Sequence, residues 1–441
     1  MARLNILKLS HLMPVRTHEG APAHRIGPEQ ALRRSVLACL LWEKQFYEDG
    51  VEIADRIREL VPKVEASRVA ALAVEARETM KLRHVPLLLV REMARHKTHR
   101  GLVAETLARV IQRADELAEF VSIYWSDGRA PLSGQVKKGL AAAFPKFDEY
   151  GLAKYDRAGF VRLRDVLFLC HAKPRDADQA GVWRRLIAGT LMTPDTWEVA
   201  LSAGKDKRKT WERLLSENKI GSLALLRNLR NMQGAQVDDE LVQSALAAMK
   251  TERVLPFRFL AAARYAPQWE DALEQAMFRA IEMQAKLAGH TVLLVDVSSS
   301  MSVPLSAKSE IQRTDAAYGL AVLLREIAEK VSVYTFSDRL ERVAARRGFA
   351  LRDALEASQP HSGTQLGAAL KAMHEKYDRL IVITDEQAHD RVPAPHGKGY
   401  VINVATYRNG VGYGKWTHID GWSEAVIQYI QELESISELE G

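Results

Sequence analysis

The chain has 441 residues, of which 47% are hydrophobic and 27% are charged. This length exceeds one ordinary domain, so we expect two or three, and the composition excludes wholesale disorder. Only two cysteines are present, Cys39 and Cys170, which argues against a disulfide framework or a cysteine zinc site and indicates a reducing cytoplasm. The N-terminal sequence lacks the pattern of a signal peptide, and no apolar run approaches the roughly 20 residues of a membrane span.

The net charge of +6 is unevenly distributed. Residues 1–290 hold 46 basic and 36 acidic residues, a net charge of +10, whereas residues 291–441 hold 16 and 20, a net charge of −4. If the chain binds a polyanion, the N-terminal part is therefore expected to bind it, and the same charge is compatible with an ordinary soluble surface.

Helical periodicity dominates the sequence after a short N-terminal arm. Residues 1–28 contain several prolines and glycines and little periodicity, so we predict an irregular arm. Beyond it, apolar residues recur with helical spacing in stretches that end at glycine, proline or a polar turn. These stretches are 29–50, 51–64, 66–82, 85–99, 101–125, 133–147, 160–173, 178–189, 209–219, 221–232, 238–250, 254–266 and 269–289. Paired helices over about 260 residues predict an α-solenoid whose repeat is structural, because no strict sequence period is visible.

The pattern changes at residue 291 to alternating strands and helices. The segment TVLLVDVS is a continuous apolar run, which is typical of a strand covered on both faces. The predicted strands are 291–298, 331–337, 342–348 at the edge, 379–386 and 399–406, and the predicted helices are 315–330, 351–358, 366–377 and 422–434. This order predicts a doubly wound parallel sheet, in which ligands bind at the carboxyl ends of the strands.

Oxygen-bearing side chains occur at the ends of two of these strands. Asp296, Ser298 and Ser300 form a D-x-S-x-S motif after the first strand, Thr364 opens a later helix, and Asp385 ends another strand. Two carboxylates and three hydroxyls form a ligand set that a hard divalent cation prefers. The alternative is that a serine caps the next helix and Asp385 belongs to a turn.

These five residues resemble the metal-ion-dependent adhesion site of a von Willebrand factor A domain. The resemblance to that domain covers about 150 residues. The resemblance implies a divalent ion, Mg²⁺, that accepts a carboxylate from a protein partner. Glu386 departs from the pattern, because many members of that family have glycine there, and its carboxylate is expected to alter affinity or ligand choice. No glycine-rich phosphate-binding motif follows a strand, so the sequence gives no support for a nucleotide site.

Three helical stretches, 133–174, 209–232 and 254–266, resemble the TROVE module of the Ro RNA-binding proteins. After the irregular arm over 1–28, that resemblance implies a HEAT-like helical ring over 29–288 and a von Willebrand factor A-like domain over 289–441. It also implies a monomeric ring whose hole takes the single-stranded 3′ end of misfolded RNA, while a basic outer face binds Y-like RNA. In bacteria such proteins tether Y RNA to an exoribonuclease, polynucleotide phosphorylase.

Basic residues cluster within the first of these stretches, and Tyr155 lies among them as a candidate for base stacking. The candidate RNA-binding residues there are Lys137, Lys138, Lys146, Lys154, Tyr155, Arg162, Arg164, His171 and Lys173. A second basic patch is predicted in the segment REMARHKTHR from Arg91, Arg95, His96, Lys97, His99 and Arg100, of which Arg95, Lys97 and Arg100 are candidate RNA contacts. Many of these side chains are also compatible with solvated helix faces. The tryptophans Trp183, Trp197 and Trp211 are expected in the core between helices.

The sequence thus predicts a cytoplasmic RNA-binding protein of the bacterial Ro type that is not an enzyme. No nucleophile with an ordered base is apparent. One alternative is an adhesion or scaffolding protein in which the helices bind proteins and not RNA. Another is a metal-dependent hydrolase or nuclease, which is disfavoured because the candidate ion has no general base beside it.

Overall fold

The computed structural model describes residues 15–16, 22–23, 27–38, 50–80, 82–193, 195, 199–200, 206–252, 254, 256–282, 286–304, 312–405, 415–420, 426, 430 and 434. The chain divides into two compact units, one formed by residues 53–214 and the other by residues 1–52 together with 215–441. Within the described ranges, no helix is long and apolar enough to cross a membrane. The predicted strand-free arm contains a two-residue antiparallel pairing between Val15–Arg16 (β1) and Pro22–Ala23 (β2).

The unit formed by residues 53–214 is helical throughout its described part. Its helices are α2 Gly50–Leu60, α3 Ala66–Glu78, α4 His84–Arg95, α5 Val103–Val110, α6 Asp115–Tyr124, α7 Gly134–Ala143, α8 Glu149–Tyr155, α9 Leu163–Cys170, α10 Ala177–Ala188 and α11 Lys207–Ser216. Helices α5 and α7 pack so closely that a Cβ on Gly139 would lie 2.9 Å from the Ala104 carbonyl oxygen. A buried ion pair between Arg77 and Glu116 (2.7 Å) joins α3 to α6. Predicted core residue Trp183 packs against Phe144, with ring centroids 5.2 Å apart.

The other unit begins with helix α1 Pro28–Ala38 and continues with four helices before its sheet. These are α12 Ser222–Gly234, α13 Asp239–Ala248, α14 Pro256–Tyr265 and α15 Glu270–Glu282. Helix α14 packs against α16 Arg313–Ile327, where a Cβ on Gly319 would lie 2.8 Å from the Phe257 Cβ. The Arg264 guanidinium pairs with the Asp315 carboxylate at 2.9 Å across the same contact. Helix α14, which the sequence groups with the solenoid, therefore packs against a helix of the sheet-containing unit, and the predicted domain boundaries stay predictions.

A six-stranded sheet forms the rest of this unit. Its strands are β3 Leu287–Asp296, β4 Ala328–Phe336, β5 Leu340–Val343, β6 Arg379–Thr384, β7 Lys398–Asn403 and β8 Thr417–Asp420, and the remaining helices are α17 Gly348–Glu356 and α18 Leu366–Ala372. The strand order is β5-β4-β3-β6-β7-β8, and every pair is parallel except β4 with β5. Residues 291–296 of β3 and all of β6 are buried, which confirms the predicted strands covered on both faces.

The sheet and its helices differ from the prediction in several details. The edge strand predicted over 342–348 is β5 Leu340–Val343, because its pairing with β4 ends at Val343, and the helix predicted over 366–377 ends at Ala372. The helix predicted to run to residue 330 ends at Ile327, and Ala328 begins β4. Strand β8 was not predicted, because its four residues, THID, contain a single large apolar side chain and show no usable periodicity. The predicted helix 422–434 lies almost wholly outside the described residues, as do Cys39 and Trp197.

Candidate functional site

The two predicted carboxylates lie at neighbouring strand ends. Asp296 is the last residue of β3, and Asp385 follows β6 directly. These strands are paired in parallel, with Val295 opposite Ile383, so their carboxyl ends meet at one edge of the sheet. The chain leaves β3 towards β4 on one side and has β6 on the other, which makes this edge a topological switch point, where ligands bind in such sheets. Both carboxylates are fully buried.

The D-x-S-x-S turn folds back on its own aspartate. The Ser298 N–H donates to Asp296 Oδ1 at 2.8 Å, and the Ser298 and Ser300 hydroxyl oxygens lie 3.2 Å apart. The Thr384 hydroxyl donates to Asp296 Oδ2 at 2.6 Å. Because the first three predicted ligands are spaced two residues apart, the turn brings them together, and Thr384 on β6 holds Asp296 by its hydrogen bond.

The segment around Thr364 lies against both of these strand ends. The Ser299 N–H donates to the Ser362 carbonyl at 3.0 Å, which joins this segment to the turn after β3. The Thr364 N–H donates to His389 Nδ1 at 3.2 Å, and the Thr364 carbonyl accepts from the His389 N–H at 3.0 Å, which joins it to the loop after β6. The structure thus collects the elements that carry all five predicted ligands at one end of the sheet.

The electrostatics of this edge include an arginine that the sequence did not single out. Burial and the neighbouring Asp385 carboxylate raise the pKa of Asp296 to about 7. Arg313, the buried first residue of α16, donates from Nη1 to Asp385 Oδ2 and to the Ser300 carbonyl, both at 3.1 Å. No sequence pattern marks Arg313, because its role depends on contacts with Ser300 and Asp385, which are distant in sequence.

The residues at this edge fit a hard divalent ion. The two buried carboxylates repel each other electrostatically, and the single positive charge of Arg313 offsets one of the two negative charges. Asp296, Ser298, Ser300, Thr364 and Asp385 supply oxygen ligands, and Ser300 is only half-buried, so solvent reaches the site there. Among the residues described, no group of three or more His, Cys, Asp or Glu is arranged to hold a metal, so a site here depends on hydroxyl ligands. The metal ion itself remains a prediction.

Glu386 points away from the expected ligand set. It adopts a left-handed backbone conformation (φ 64°), which explains why glycine suits this position. Its Oε1 lies 2.6 Å from His418 Nδ1 on β8, and its Oε2 accepts from Asn403 Nδ2 at 3.1 Å at the end of β7. The carboxylate therefore links the ends of β7 and β8, and its expected effect on metal affinity stays a prediction.

The candidate RNA-binding residues all lie in the unit formed by residues 53–214. Lys97, Lys138, His171 and Lys173 are exposed, whereas Lys137, Lys154, Tyr155, Arg162 and Arg164 are half-buried. This unit holds 30 basic and 21 acidic residues, a net charge of +9, and the remainder of the chain holds 32 and 35, a net charge of −3. The positive charge of the chain is thus concentrated in one compact unit.

Some predicted RNA contacts have structural partners. The Lys146 ammonium donates to the carbonyls of Ala108 and Ile111 at the end of α5, and burial lowers the pKa of Lys146. Arg100 Nε donates to the Ala94 carbonyl at 3.2 Å. These contacts satisfy carbonyls at helix ends, so both side chains have a structural reason for their positions.

The second basic patch is smaller than predicted. Arg91 is fully buried and pairs with Glu92 and Asp127, so it is not a surface residue. His99 is also buried, with Nε2 3.0 Å from the Val64 carbonyl oxygen. Arg95 is exposed but donates to Asp127 at 2.6 Å. Arg91 lies on α4 and His99 in the turn after it, and a count of basic residues does not reveal that both side chains are buried.

Comparison with known proteins agrees with this architecture. The TROVE domain family matches residues 176–317, a range that includes α10 and the D-x-S-x-S motif. Telomerase protein component 1 of Mus musculus is 37% identical over 89 residues, 18% of this chain and 3% of that protein, and its Rattus norvegicus counterpart is 35% identical over 93 residues, 20% and 3%. The chain thus spans only a small part of these relatives.

The crystal structure of the Deinococcus radiodurans RO (RSR) protein has the same fold, with a TM-score of 0.62 and 19% identity over 90% of this chain and 97% of that one. The family match covers residues 176–317, less than half of the chain, and at 19% identity the structural likeness concerns the fold alone, in which helices precede a mainly parallel sheet. The predicted resemblance to the Ro family is confirmed.

Proposed function

We propose that this chain binds non-coding RNA through residues 53–214 and is not itself an enzyme. The observation that carries this proposal is the concentration of the chain's positive charge in that unit, a net charge of +9 against −3 elsewhere. Exposed residues such as Lys138 and Lys173 are suited to phosphate contacts. The TROVE match and the fold shared with the RO (RSR) protein support RNA binding as the class of function, and residues 176–214 of the match lie in the unit named here.

The finer proposal concerns which RNA is bound. A HEAT-like ring would take the single-stranded 3′ end of misfolded RNA, and its basic outer face would bind a Y-like RNA, in RNA quality control in the cytoplasm. An exoribonuclease such as polynucleotide phosphorylase is the proposed protein partner. A divalent ion, Mg²⁺, held by Asp296, Ser298, Ser300, Thr364 and Asp385 would supply an electrophilic centre for a carboxylate of a protein partner.

Salt-dependent binding of a tailed RNA tests the proposal. Affinity for a labelled hairpin with a single-stranded 3′ tail is measured by fluorescence anisotropy between about 50 and 200 mM salt. The affinity should fall on the order of a hundredfold or more as the salt concentration rises across this range. Replacing Lys138 and Lys173 together by Gln should reduce the slope of log affinity against log salt by about 1.4, if each contacts a phosphate of single-stranded RNA. The matched control is Lys371→Gln, an exposed lysine on α18 of the other unit, which should leave the slope unchanged.

Three results would contradict this function. Absence of binding at low salt would favour the adhesion or scaffolding alternative. Binding with the same slope in the double variant would show that these lysines make no phosphate contact. Cleavage of the RNA on addition of magnesium would favour the nuclease alternative.

A further inference from the structure

Phe160 presents an apolar ring to solvent in the segment between α8 and α9. Its exposed fraction is 77%, the largest among the exposed large hydrophobic side chains that the structure describes. Burying a phenylalanine side chain contributes roughly 1.5–3 kcal/mol, so a ring left in water forgoes that contribution. A single exposed aromatic residue is common on protein surfaces and does not by itself indicate a binding site, so the neighbouring residues must show which ligand it could contact.

The ring is held from one side by a second aromatic residue. Trp125 lies edge-to-face with Phe160, with ring centroids 6.3 Å apart and planes at 88°. Trp125 is itself buried, donates from Nε1 to the Ala130 carbonyl at 2.6 Å, and has the Arg129 guanidinium 4.8 Å from its ring centroid. Because its support is fixed, Phe160 is a positioned ring with much of its surface free.

Positive charge predominates in the two segments that meet here. Residues 125–129 and 156–164 contain Arg129, Arg157, Arg162 and Arg164 against two acidic residues. One of these, Asp127, is paired with Arg91 and Arg95 at 2.7 and 2.6 Å. Burial raises the pKa of the other, Asp156, which disfavours its negative charge. A positioned aromatic ring among arginines suits an anionic ligand that also carries flat apolar surfaces.

The aromatic residue predicted from the sequence is less suited to this role. Tyr155 has the Arg113 guanidinium 4.7 Å from its ring centroid and the Lys154 ammonium at 5.8 Å. A base stacking on the Arg113 side of Tyr155 would have to displace that guanidinium, whereas Phe160 is open.

We infer that Phe160 is a stacking platform for an unpaired base of single-stranded RNA, with Arg129 and Arg157 beside it as phosphate contacts. This inference rests on the proposed RNA-binding function and adds where the base is held. Any base can stack on an aromatic side chain. The platform would therefore favour unpaired over paired RNA without favouring a particular base sequence.

The test uses the full chain and a set of single-stranded oligoribonucleotides, each with one abasic position moved stepwise along an otherwise identical strand. Phe160→Ala should weaken binding of the intact strand by roughly five- to a hundredfold, the range measured for loss of one base–aromatic stack. With one of the abasic strands, the variant and the wild type should bind with equal affinity, because the base that stacks is missing from both. Phe160→Trp should bind the intact strand as tightly as the wild type, since a larger ring preserves stacking.

Phe168→Ala is the matched control, because Phe168 is also an exposed phenylalanine, on α9, and is 58% exposed. It should retain the wild-type affinity. If Phe160→Ala binds the intact strand as the wild type does, or loses the same affinity for every abasic strand, the platform is disproved, and a protein partner becomes the better occupant of this ring. Failure of the proposed function is a separate result, because the wild type itself would then show no binding of any strand at low salt.

Discussion

Arg313 places a guanidinium against one carboxylate of the candidate metal site, 3.1 Å from Asp385 Oδ2. A positive charge so close to a divalent ion opposes its binding, by on the order of a few kcal/mol at the effective dielectric constant of such sites. We therefore expect Arg313→Met to bind Mg²⁺ or Mn²⁺ about tenfold or more tightly than the wild type, measured by isothermal titration calorimetry.

The control for this variant is Arg339→Met, which removes an exposed arginine of the same unit and should leave the metal affinity unchanged. Weaker binding by Arg313→Met would mean that the guanidinium orients Asp385 for the ion and does not compete with it. Asp296→Ala should abolish binding in either background.

Asp127 should make the stability of the helical unit depend on pH in the acid range. Arg95 and Arg91 lower the pKa of Asp127 to about 2, below its ordinary value of 3.8. A carboxylate with a depressed pKa in the folded state stabilises it above the unfolded value, and this contribution is lost as the pH falls from about 4 through 2. The effect should be small, because the side chain is half-exposed and solvent screens it.

Urea denaturation of the wild type and of Asp127→Asn, followed from pH 5 to pH 2, checks this expectation. The wild type should be the more stable protein at pH 5, and the two curves should converge at the acid end. A difference that does not shrink between pH 5 and pH 2 would assign the effect to packing and not to charge.

Individual residues were predictable where spacing alone determines their position. Asp296 and Asp385 could be placed at the carboxyl ends of two strands, because strand ends follow from the apolar runs. That these two strands are neighbours comes from their pairing in the structure. Arg313, Thr384 and the pairing of Glu386 with His418 were not predictable, because they depend on side-chain contacts between residues far apart in sequence. The inward orientation of Arg91 and His99 was missed for the same reason.

At the scale of elements, the contact between α14 and α16 requires a glycine. A Cβ on Gly319 would lie 2.8–3.0 Å from Phe257, including its backbone nitrogen and Cα, which cannot move without shifting α14. We expect Gly319→Ala to lower the free energy of unfolding by about 1–3 kcal/mol, even though alanine favours a helix by about 1 kcal/mol over glycine.

The matched control is Gly234→Ala at the end of α12, where an added Cβ meets nothing within 4 Å. It should leave stability unchanged or raise it slightly, as judged from denaturant midpoints at constant slope. Equal midpoints for the two variants would show that α14 and α16 are not in close contact in solution.

Elements with strong periodicity were predicted with nearly correct bounds, and short ones were not. Strands β3, β4, β6 and β7 stand out as apolar or β-branched runs, whereas β8 pairs with β7 through only four residues. The end of α16 was set three residues too late, because Ala328, Glu329 and Lys330 suit a helix locally, whereas the pairing of β3 with β4 makes them part of a strand.

At the scale of the whole molecule, the two candidate sites lie in different compact units. The candidate RNA-binding residues lie within residues 53–214, and the five candidate metal ligands lie within the unit that contains residues 215–441. Charge follows the same division, since the net positive charge belongs to the first unit. RNA affinity should therefore depend on phosphate contacts in one unit and be insensitive to the ion in the other.

Asp296→Ala and removal of divalent ions with EDTA should both leave the affinity for single-stranded RNA unchanged, while the Lys138→Gln, Lys173→Gln double variant weakens it. All three are compared by anisotropy at one fixed salt concentration, because affinity for RNA has meaning only at a stated ionic strength. A fold check by circular dichroism separates loss of structure from loss of contact in Asp296→Ala. If the aspartate variant is folded and yet loses RNA affinity, the ion and the RNA are coupled across the two units, and the sheet has a direct part in binding. If only the lysine variant loses affinity, the helical unit binds RNA by itself, and the candidate metal site remains available for a protein partner.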